Sequence, residues 1–224
     1  MAVTSKRKVN TKKFKLMIKI FWDITDHGPI KWFFGFKIRQ NRKEKSISIN
    51  QQAYIKTMVE KFELTNAKRV TMPMDQNAQF SIQQCPSSLN QMACMKEIPY
   101  AEAIGSILWP TVVSRLDTTF AVGVLSQFIQ NPGPVHWVTV KRVISYLGST
   151  KDLWLTFGGT ECMHLEGYSD ADWASQPHQH LISGFLFHYG MGAVSWSSKK
   201  QSIIALSSTE AEYVAKTHAA KEAL

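Results

Sequence analysis

The sequence predicts an α+β protein, on three observations. Apolar residues alternate around a charged turn at 30–50, helical periodicity recurs at 51–64 and 100–147, and after Lys151 the pattern returns to strands before a final helical stretch at 208–224. Lys31 to Ile38 reads as one β-rich strand, Asn41 to Lys45 as its basic turn, and Ile47 and Ile49 as the alternating positions of the second strand. In QQAYIKTMVEKFEL at 51–64, Tyr54, Ile55, Met58, Val59 and Phe62 share one helical face, with Asn50 as the cap. Residues 65–97 sustain no period and contain Pro73 and Pro86, which predicts a mobile surface connection.

From Tyr100 to Leu147 the pattern predicts three short helices, divided at Arg115 to Asp117 and by the NPGP turn at 131–134. Their common core is expected to be Trp109, Phe120, Leu125, Phe128, Trp137, Val140, Ile144 and Leu147. Beyond Lys151 the runs WLTFGG, HLEGYSDADWA and ISGFLFHYGMGAVSWSSKK read as strands, with Gly190 to Gly192 turning a hairpin. STEAEYVAKTHAAKEAL reads as a helix capped by Ser207 or Ser208, with an acidic first turn that suits the helix dipole.

Composition bounds the function. Hydrophobic residues make up 44% of the chain, which is ordinary for a packed core. The longest apolar stretch, AIGSILWPTVVSRLDTTFAVGVL, is interrupted by Pro110, Arg115 and Asp117, so the uninterrupted run of about 20 residues that a membrane helix needs is missing. The basic N-terminus lacks a following apolar block and cleavage site. Cys85, Cys94 and Cys162 fit neither a zinc set nor a disulfide framework. An intracellular protein, cytoplasmic or nuclear and not secreted, is the expectation. Charge is uneven: residues 1–72 hold 17 Lys and Arg against 5 Asp and Glu, while the rest of the chain is slightly acidic. Such a basic half fits a polyanion, nucleic acid first, because clustered cations release condensed counterions on binding. A solvated basic face is the plainer alternative.

The residues with chemical potential are the carboxylates of GYSDADWA and of STEAEYVA. Paired divalent ions need several convergent carboxylates, and an Asp on a strand end with a Glu on a following helix is one way to supply them. Asp170 follows Tyr168 with the strand period, and Asp172 shares its side only if the strand continues that far. Glu210 and Glu212 are about 200° apart around a helix, so at most one faces Asp170, and periodicity does not choose between them. Taken alone, an Asp-x-Asp is more often a turn or cap.

The surrounding words change that weighting. YSDADWA, SGFLFHYGMGAVSWSSKKQ and ALSSTEAEYVA resemble the ribonuclease H domain of copia-type retrotransposon Pol polyproteins. IKWFFGFKI, SISINQQAYIKTMVEKFEL, TMPMD, YAEAIGSILW, FAVGVLSQFIQNPGPVHW and KRVISYLGSTKDLWLTF are similar to the end of the same polyprotein's reverse transcriptase. The resemblance covers 12–224. It implies the thumb and connection region of a reverse transcriptase over 12–150 and a truncated ribonuclease H-like domain over 151–224, built from three antiparallel strands and a first helix. It also implies a parent that copies RNA into DNA and hydrolyses the RNA of RNA–DNA hybrids with Mg²⁺ or Mn²⁺. By the same resemblance Asp170 is the first catalytic, metal-binding Asp, and Glu212, with Ala215 three residues on, fits the family's Glu-x-x-Ala better than Glu210 does.

Departures from the family pattern limit the expectation. The polymerase's aromatic-x-Asp-Asp box is missing, since no two aspartates are adjacent in the chain. Later ribonuclease H ligands are expected to lie past Leu224, so the isolated chain is expected to bind metal weakly and to be inactive or nearly so. Arg115-Leu116-Asp117 stands where the family commonly has Arg-Pro-Asp, and Asp26-His27-Gly28-Pro29 where it has an Asp-Leu-Gly-Glu-like turn. Lys141, Arg142, Lys199 and Lys200 are candidate contacts to the phosphates of a hybrid. The remaining Pol segments are further candidate partners. A polar loop is the stronger reading for His178 and His180, and core or partial-core roles for Trp22, Trp32 and Trp173. A non-catalytic, basic nucleic-acid-binding remnant is the alternative from a different class.

Overall fold

A computed structural model describes residues 8–75, 78–159, 164–172, 181–201 and 207–224. It begins with α1 (Lys8–Phe21), a basic helix without a counterpart among the elements expected above. Phe14, Leu16, Met17, Ile20 and Phe21 are exposed on it, and Lys15 reaches Asp26 at 2.8 Å in the loop that follows. Asp26 also accepts the Gly28 N–H, so the turn that departs from the family's sequence is held by its own aspartate.

The first sheet contains β1 (Trp32–Phe33), β2 (Phe36–Asn41), β3 (Ser46–Asn50) and β4 (Leu155–Gly158), antiparallel in that order. The single strand expected over Lys31 to Ile38 is divided by a two-residue turn. Phe33 pairs with Phe36, and Phe34 and Gly35 both adopt positive φ (47° and 81°). Glycine meets that demand freely, and the aromatic before it is held in a region such residues rarely visit. β4 comes more than 100 residues after β3, and the Ser48 and Thr156 hydroxyls meet at 2.8 Å across that gap. The first sheet therefore draws on the chain past residue 150.

Helix α2 (Gln52–Lys61) starts directly from β3. The Asn50 side chain accepts the Gln52 N–H at 2.7 Å and donates to the carbonyls of Lys151 and Leu153, joining the helix start to the approach to β4. The stretch from 65 to 97 is less irregular than its composition suggests, with a 3₁₀ turn at Ile82–Gln84 and helix α3 (Leu89–Lys96). The Ser88 hydroxyl accepts the Gln91 N–H and so starts a helix whose periodicity is too weak to announce it.

Helices α4 (Tyr100–Val113), α5 (Thr119–Ser126) and α6 (Pro134–Ser149) form the core with α2. Ile55, Ile107, Leu125, Val140, Ile144 and Leu147 are almost wholly buried. Pro110 inside α4 cannot donate to the Ser106 carbonyl, and the Tyr54 hydroxyl donates to it instead at 3.0 Å. Two expected core aromatics lie elsewhere: Trp109 and Phe120 are each 43% exposed, Trp109 stacking on Phe36 of the first sheet at 5.7 Å. The smaller Ile107 and Val122 take the core positions, because the buried faces of α4 and α5 run through them. Trp22 and Trp32 are likewise exposed rather than core, and Trp173 lies outside the described residues.

The second sheet is β5 (Leu165–Asp172), β6 (Ile182–Tyr189) and β7 (Gly192–Lys200), antiparallel, followed by α7 (Ser208–Ala223). Of the two serines considered, Ser207 is the cap, its hydroxyl accepting the Glu210 N–H. α5 packs against β7 so closely that a side chain at Gly123 would sit 3.2 Å from the Ser198 carbonyl oxygen. No helix among the described residues is long and apolar enough to cross a membrane.

Candidate metal and nucleic-acid site

Strand register decides what each side chain faces. Asp170 pairs with Gly184, and Gly184 with Ser198, so these three lie in one row across the second sheet. Phe120 of α5 overhangs that row, and together with Ala171 and Ile182 the four enclose a shallow cleft of about 350 Å³. Asp170 is therefore a strand residue, exposed on the α5 side of the sheet, and its Oδ1 accepts the neighbouring Ala171 N–H at 2.9 Å. Ala171, one residue on, turns to the other face and packs with Leu181 and Ala211 of α7.

α7 is held to that second face by small residues. Ala211, Ala215 and Ala219 form its buried stripe. At about 100° per residue, Glu212 lies roughly 60° from the centre of the stripe and Glu210 roughly 140°, so Glu212 is the nearer of the two to the sheet. Its carboxylate meets Lys216 at 3.4 Å, an exposed i,i+4 pair, and it is not among the residues lining the Asp170 cleft. A buried link between sheet and helix is Gln201, 2% exposed. Its amide nitrogen donates to the Ser183 hydroxyl at 2.6 Å and to the Ala211 carbonyl at 3.0 Å, and its backbone N–H donates to Leu181.

The donor chemistry at Asp170 and Glu212 suits a hard divalent cation, which takes oxygen ligands. The number of donors does not: among the described residues no group of three or more His, Cys, Asp or Glu is gathered closely enough to hold an ion. His178 and His180 lie outside the described residues.

The four candidate cations have different surroundings. Lys200 pairs with Ile182, two positions along β7 from Ser198, and so shares the face of Asp170; Lys199 pairs with Ser183 and lies on the α7 face. Lys141 stands over the Trp137 ring at 5.9 Å, whereas the Arg142 Nε is buried without a hydrogen-bond partner. A second set of features went unread in the sequence. The β1–β2 turn exposes Trp32, Phe33 and Phe34, with Phe34 75% exposed, and the guanidinium of Arg39 lies 4.1 Å from the Trp154 ring. WFFG, an aromatic run ending on glycine inside an otherwise alternating strand, was the available signal for the turn.

Near the helical core, Arg115 (4% exposed) forks onto Asp117 with bonds of 3.0 and 2.7 Å and reaches Thr150, while the Tyr146 hydroxyl donates to the same carboxylate at 2.6 Å. Burial works to raise the Asp117 pKa, but the hydrogen bonds and charge of Arg115, with the Tyr146 bond, outweigh it and hold the carboxyl below its ordinary value. Leu116 in place of the family's proline leaves this ion pair intact.

The family model described as reverse transcriptase (RNA-dependent DNA polymerase) matches residues 1–76. The retrovirus-related Pol polyprotein from transposon TNT 1-94 of Nicotiana tabacum is 38% identical over 223 residues, covering 99% of this chain and 17% of that protein. The retrovirus-related Pol polyprotein from transposon RE1 of Arabidopsis thaliana is 31% identical over 195 residues, 86% of this chain and 13% of that protein. The secreted RxLR effector protein 161 of Plasmopara viticola is 50% identical over 131 residues, 58% of this chain and 92% of that protein. No solved structure matches the chain. The chain belongs to the family of retrovirus-related Pol polyproteins of copia-type transposons. Its first 76 residues fall within the reverse transcriptase match, and the chain as a whole spans less than a fifth of the two plant polyproteins.

Proposed function

We propose that these residues carry the end of a reverse transcriptase, with its thumb and connection region over 12–150 and β4 closing that region's sheet, and the opening part of a ribonuclease H-like unit in the remainder of 151–224. The parent in this reading copies RNA into DNA and hydrolyses the RNA of RNA–DNA hybrids, with Mg²⁺ or Mn²⁺ supplying the charge that activates water and steadies the leaving oxygen. Asp170 is the metal-facing carboxylate that the strand register supports, whereas Glu212, the second candidate, rides on α7 against the opposite face of the sheet and is not brought beside it. Lys141, Arg142, Lys199 and Lys200 are the candidate phosphate contacts. Lys200 is the best supported of the four, because it shares a sheet face with Asp170.

The observation that carries the reading is the position of Asp170. It lies within a strand and opens onto a cleft, and among the described residues only one of its two carboxylate oxygens is engaged, by the Ala171 N–H. Similarity to the tobacco Pol polyprotein also runs through 223 residues, far past the reverse transcriptase match. Among the described residues no group of three or more metal-binding side chains is gathered, and the behaviour expected of the 224-residue chain in this reading is to grip a hybrid without cutting it.

The test uses end-labelled RNA in an RNA–DNA hybrid, with Mg²⁺ or Mn²⁺, and the chain beside its Asp170→Asn variant. Binding that weakens steeply with salt, without cleavage, is the expected result. Metal-dependent cleavage that disappears in Asp170→Asn would overturn the expected inactivity while supporting the site. Absence of hybrid binding at low salt would overturn the reading itself. The rival, a basic remnant whose carboxylates have no role, is separated in the full polyprotein. There Asp170→Asn abolishes hybrid cleavage under the present reading and leaves it unchanged under the rival.

A further inference from the structure

We infer that the polar face of the first sheet is a docking surface for the sugar–phosphate backbone of a nucleic-acid strand, centred on Arg39 and Trp154. The inference rests on the nucleic-acid reading above and assigns it a surface that none of the four candidate cations belongs to. Arg39, Ser48 and Thr156 are register partners across β2, β3 and β4, so they form one row about 10 Å long at the usual strand spacing. Lys37 follows two positions before Arg39 on the same face, and Trp154 two before Thr156. The opposite face carries Phe36, Ile38, Ile49, Leu155 and Phe157, of which Phe36 stacks on Trp109 of α4. One side of the sheet is thus directed toward the protein and the other is polar and basic.

Arg39 is prepared for an anion. Its side chain is exposed, its guanidinium lies 4.1 Å from the Trp154 ring centroid, and no described carboxylate forms an ion pair with it. The indole beneath restrains the guanidinium, which among the described residues meets no carboxylate, and a guanidinium can offer a phosphate two parallel bonds. The Ser48 and Thr156 hydroxyls, paired at 2.8 Å, add donors in the same row. At the end of the hairpin Arg42, Lys43 and Lys45 stand against Glu44, so residues 36–50 hold five cations and one acid. A mixture of cations, hydroxyls and one stacked aromatic is complementary to a nucleic-acid backbone.

The test measures binding of a fluorescein-labelled RNA–DNA hybrid to the 224-residue chain across a salt series. Arg39→Ala is expected to weaken binding about tenfold and to lower the salt slope by about one. Lys56→Ala, which removes one charge from α2 outside this row, is expected to change neither. Arg39→Lys is expected to restore the slope without the full affinity, since it keeps the charge and loses the planar fork. Trp154→Ala, with cooperative thermal unfolding as a check on the fold, should weaken binding with the slope reduced in part. Equal slopes and affinities for Arg39→Ala and the unaltered chain would overturn the inference while leaving the reading of the whole chain standing. Equal losses for Arg39→Ala and Lys56→Ala would also overturn it, as would the same loss of binding to polyglutamate of matched charge. No hybrid binding by the unaltered chain would overturn both.

Discussion

The helical region and the second sheet are held together in different ways. α2, α4, α5 and α6 interlock through branched aliphatic side chains that are almost wholly buried, among them Ile107, Leu125, Ile144 and Leu147. α7 meets its sheet through alanines, with a buried cluster of Leu181 and Ala211, and is tied to the strands by the buried amide of Gln201 and by the exposed Ser195 hydroxyl, which donates to Glu222. The first arrangement gains stability from apolar area and the second gains closeness, since small residues bring a helix backbone near a strand at little hydrophobic return. The candidate chemistry lies on the thinner region, where the helix that carries Glu212 can shift most cheaply.

The sharpest way to break this contrast is to open a cavity in each region. Leu125→Ala should cost about 3–5 kcal/mol, because the side chain is fully enclosed and its surroundings relax only in part. Leu181→Ala, in a cluster with few partners, should cost about 2 kcal/mol, at the low end of such changes. Urea unfolding of both variants measures the difference. Equal losses would mean that the second region is as firmly packed as the first.

Next in size is the ion pair that ends α4. Asp117→Asn leaves the buried Arg115 guanidinium without its countercharge and should cost about 3 kcal/mol, at the low end for a broken buried pair because Asp117 is itself one-third exposed. The pH dependence has a definite sign. The folded Asp117 pKa lies below the ordinary 3.8, so its contribution is complete above the unfolded value and fades as the pH falls through the lower folded one. His136 acts at milder acidity. Burial lowers its pKa below 6.5, so the unfolded chain takes up the proton first and stability declines as the pH drops below about 6.5. Unfolding measured from pH 7.5 to 5 should show that decline, and His136→Gln should flatten it.

Smaller again is the clip in the second region. Gln201→Ala removes two side-chain hydrogen bonds, one to the Ser183 hydroxyl and one to the Ala211 carbonyl, for about 1–3 kcal/mol. Hydrogen exchange should show the loss concentrated in α7, with the amides of α6 unaffected. Uniform loss of protection across both regions would mean that helix and core unfold as one unit.

How much could be read in advance follows the same physical division. The β2–β3 hairpin, α2, α4 to α6 and the strands of the second sheet were legible because each has a local period and local turn chemistry. α1 and α3 were not, the first hidden in a basic stretch and the second in a polar one. Pairing of β4 with β3 is a tertiary event, and nothing in WLTFGG says which strand it will meet. Trp109 and Phe120 are expected on the common apolar face of the helices, yet each is 43% exposed. At the site, strand alternation was enough to put Asp170 on a strand, but the geometric ranking of Glu212 over Glu210 needed the buried alanine stripe. Arg39 on Trp154 joins residues 115 positions apart, and a sequence period carries no such information.

The smallest expected effect is also the most informative about the site. Asp170 is exposed and, among the described residues, its one hydrogen bond is to the N–H of the next residue. Asp170→Asn keeps an acceptor oxygen in nearly the same place, so stability should change by no more than about 0.5 kcal/mol, as for surface substitutions generally. That insensitivity is what a carboxylate kept for a ligand predicts, because its charge contributes little to the fold that holds it. A loss of about 2 kcal/mol or more in thermal unfolding would instead make Asp170 a structural anchor of the sheet, and any fall in hybrid cleavage by the mutated polyprotein would then no longer report on metal binding.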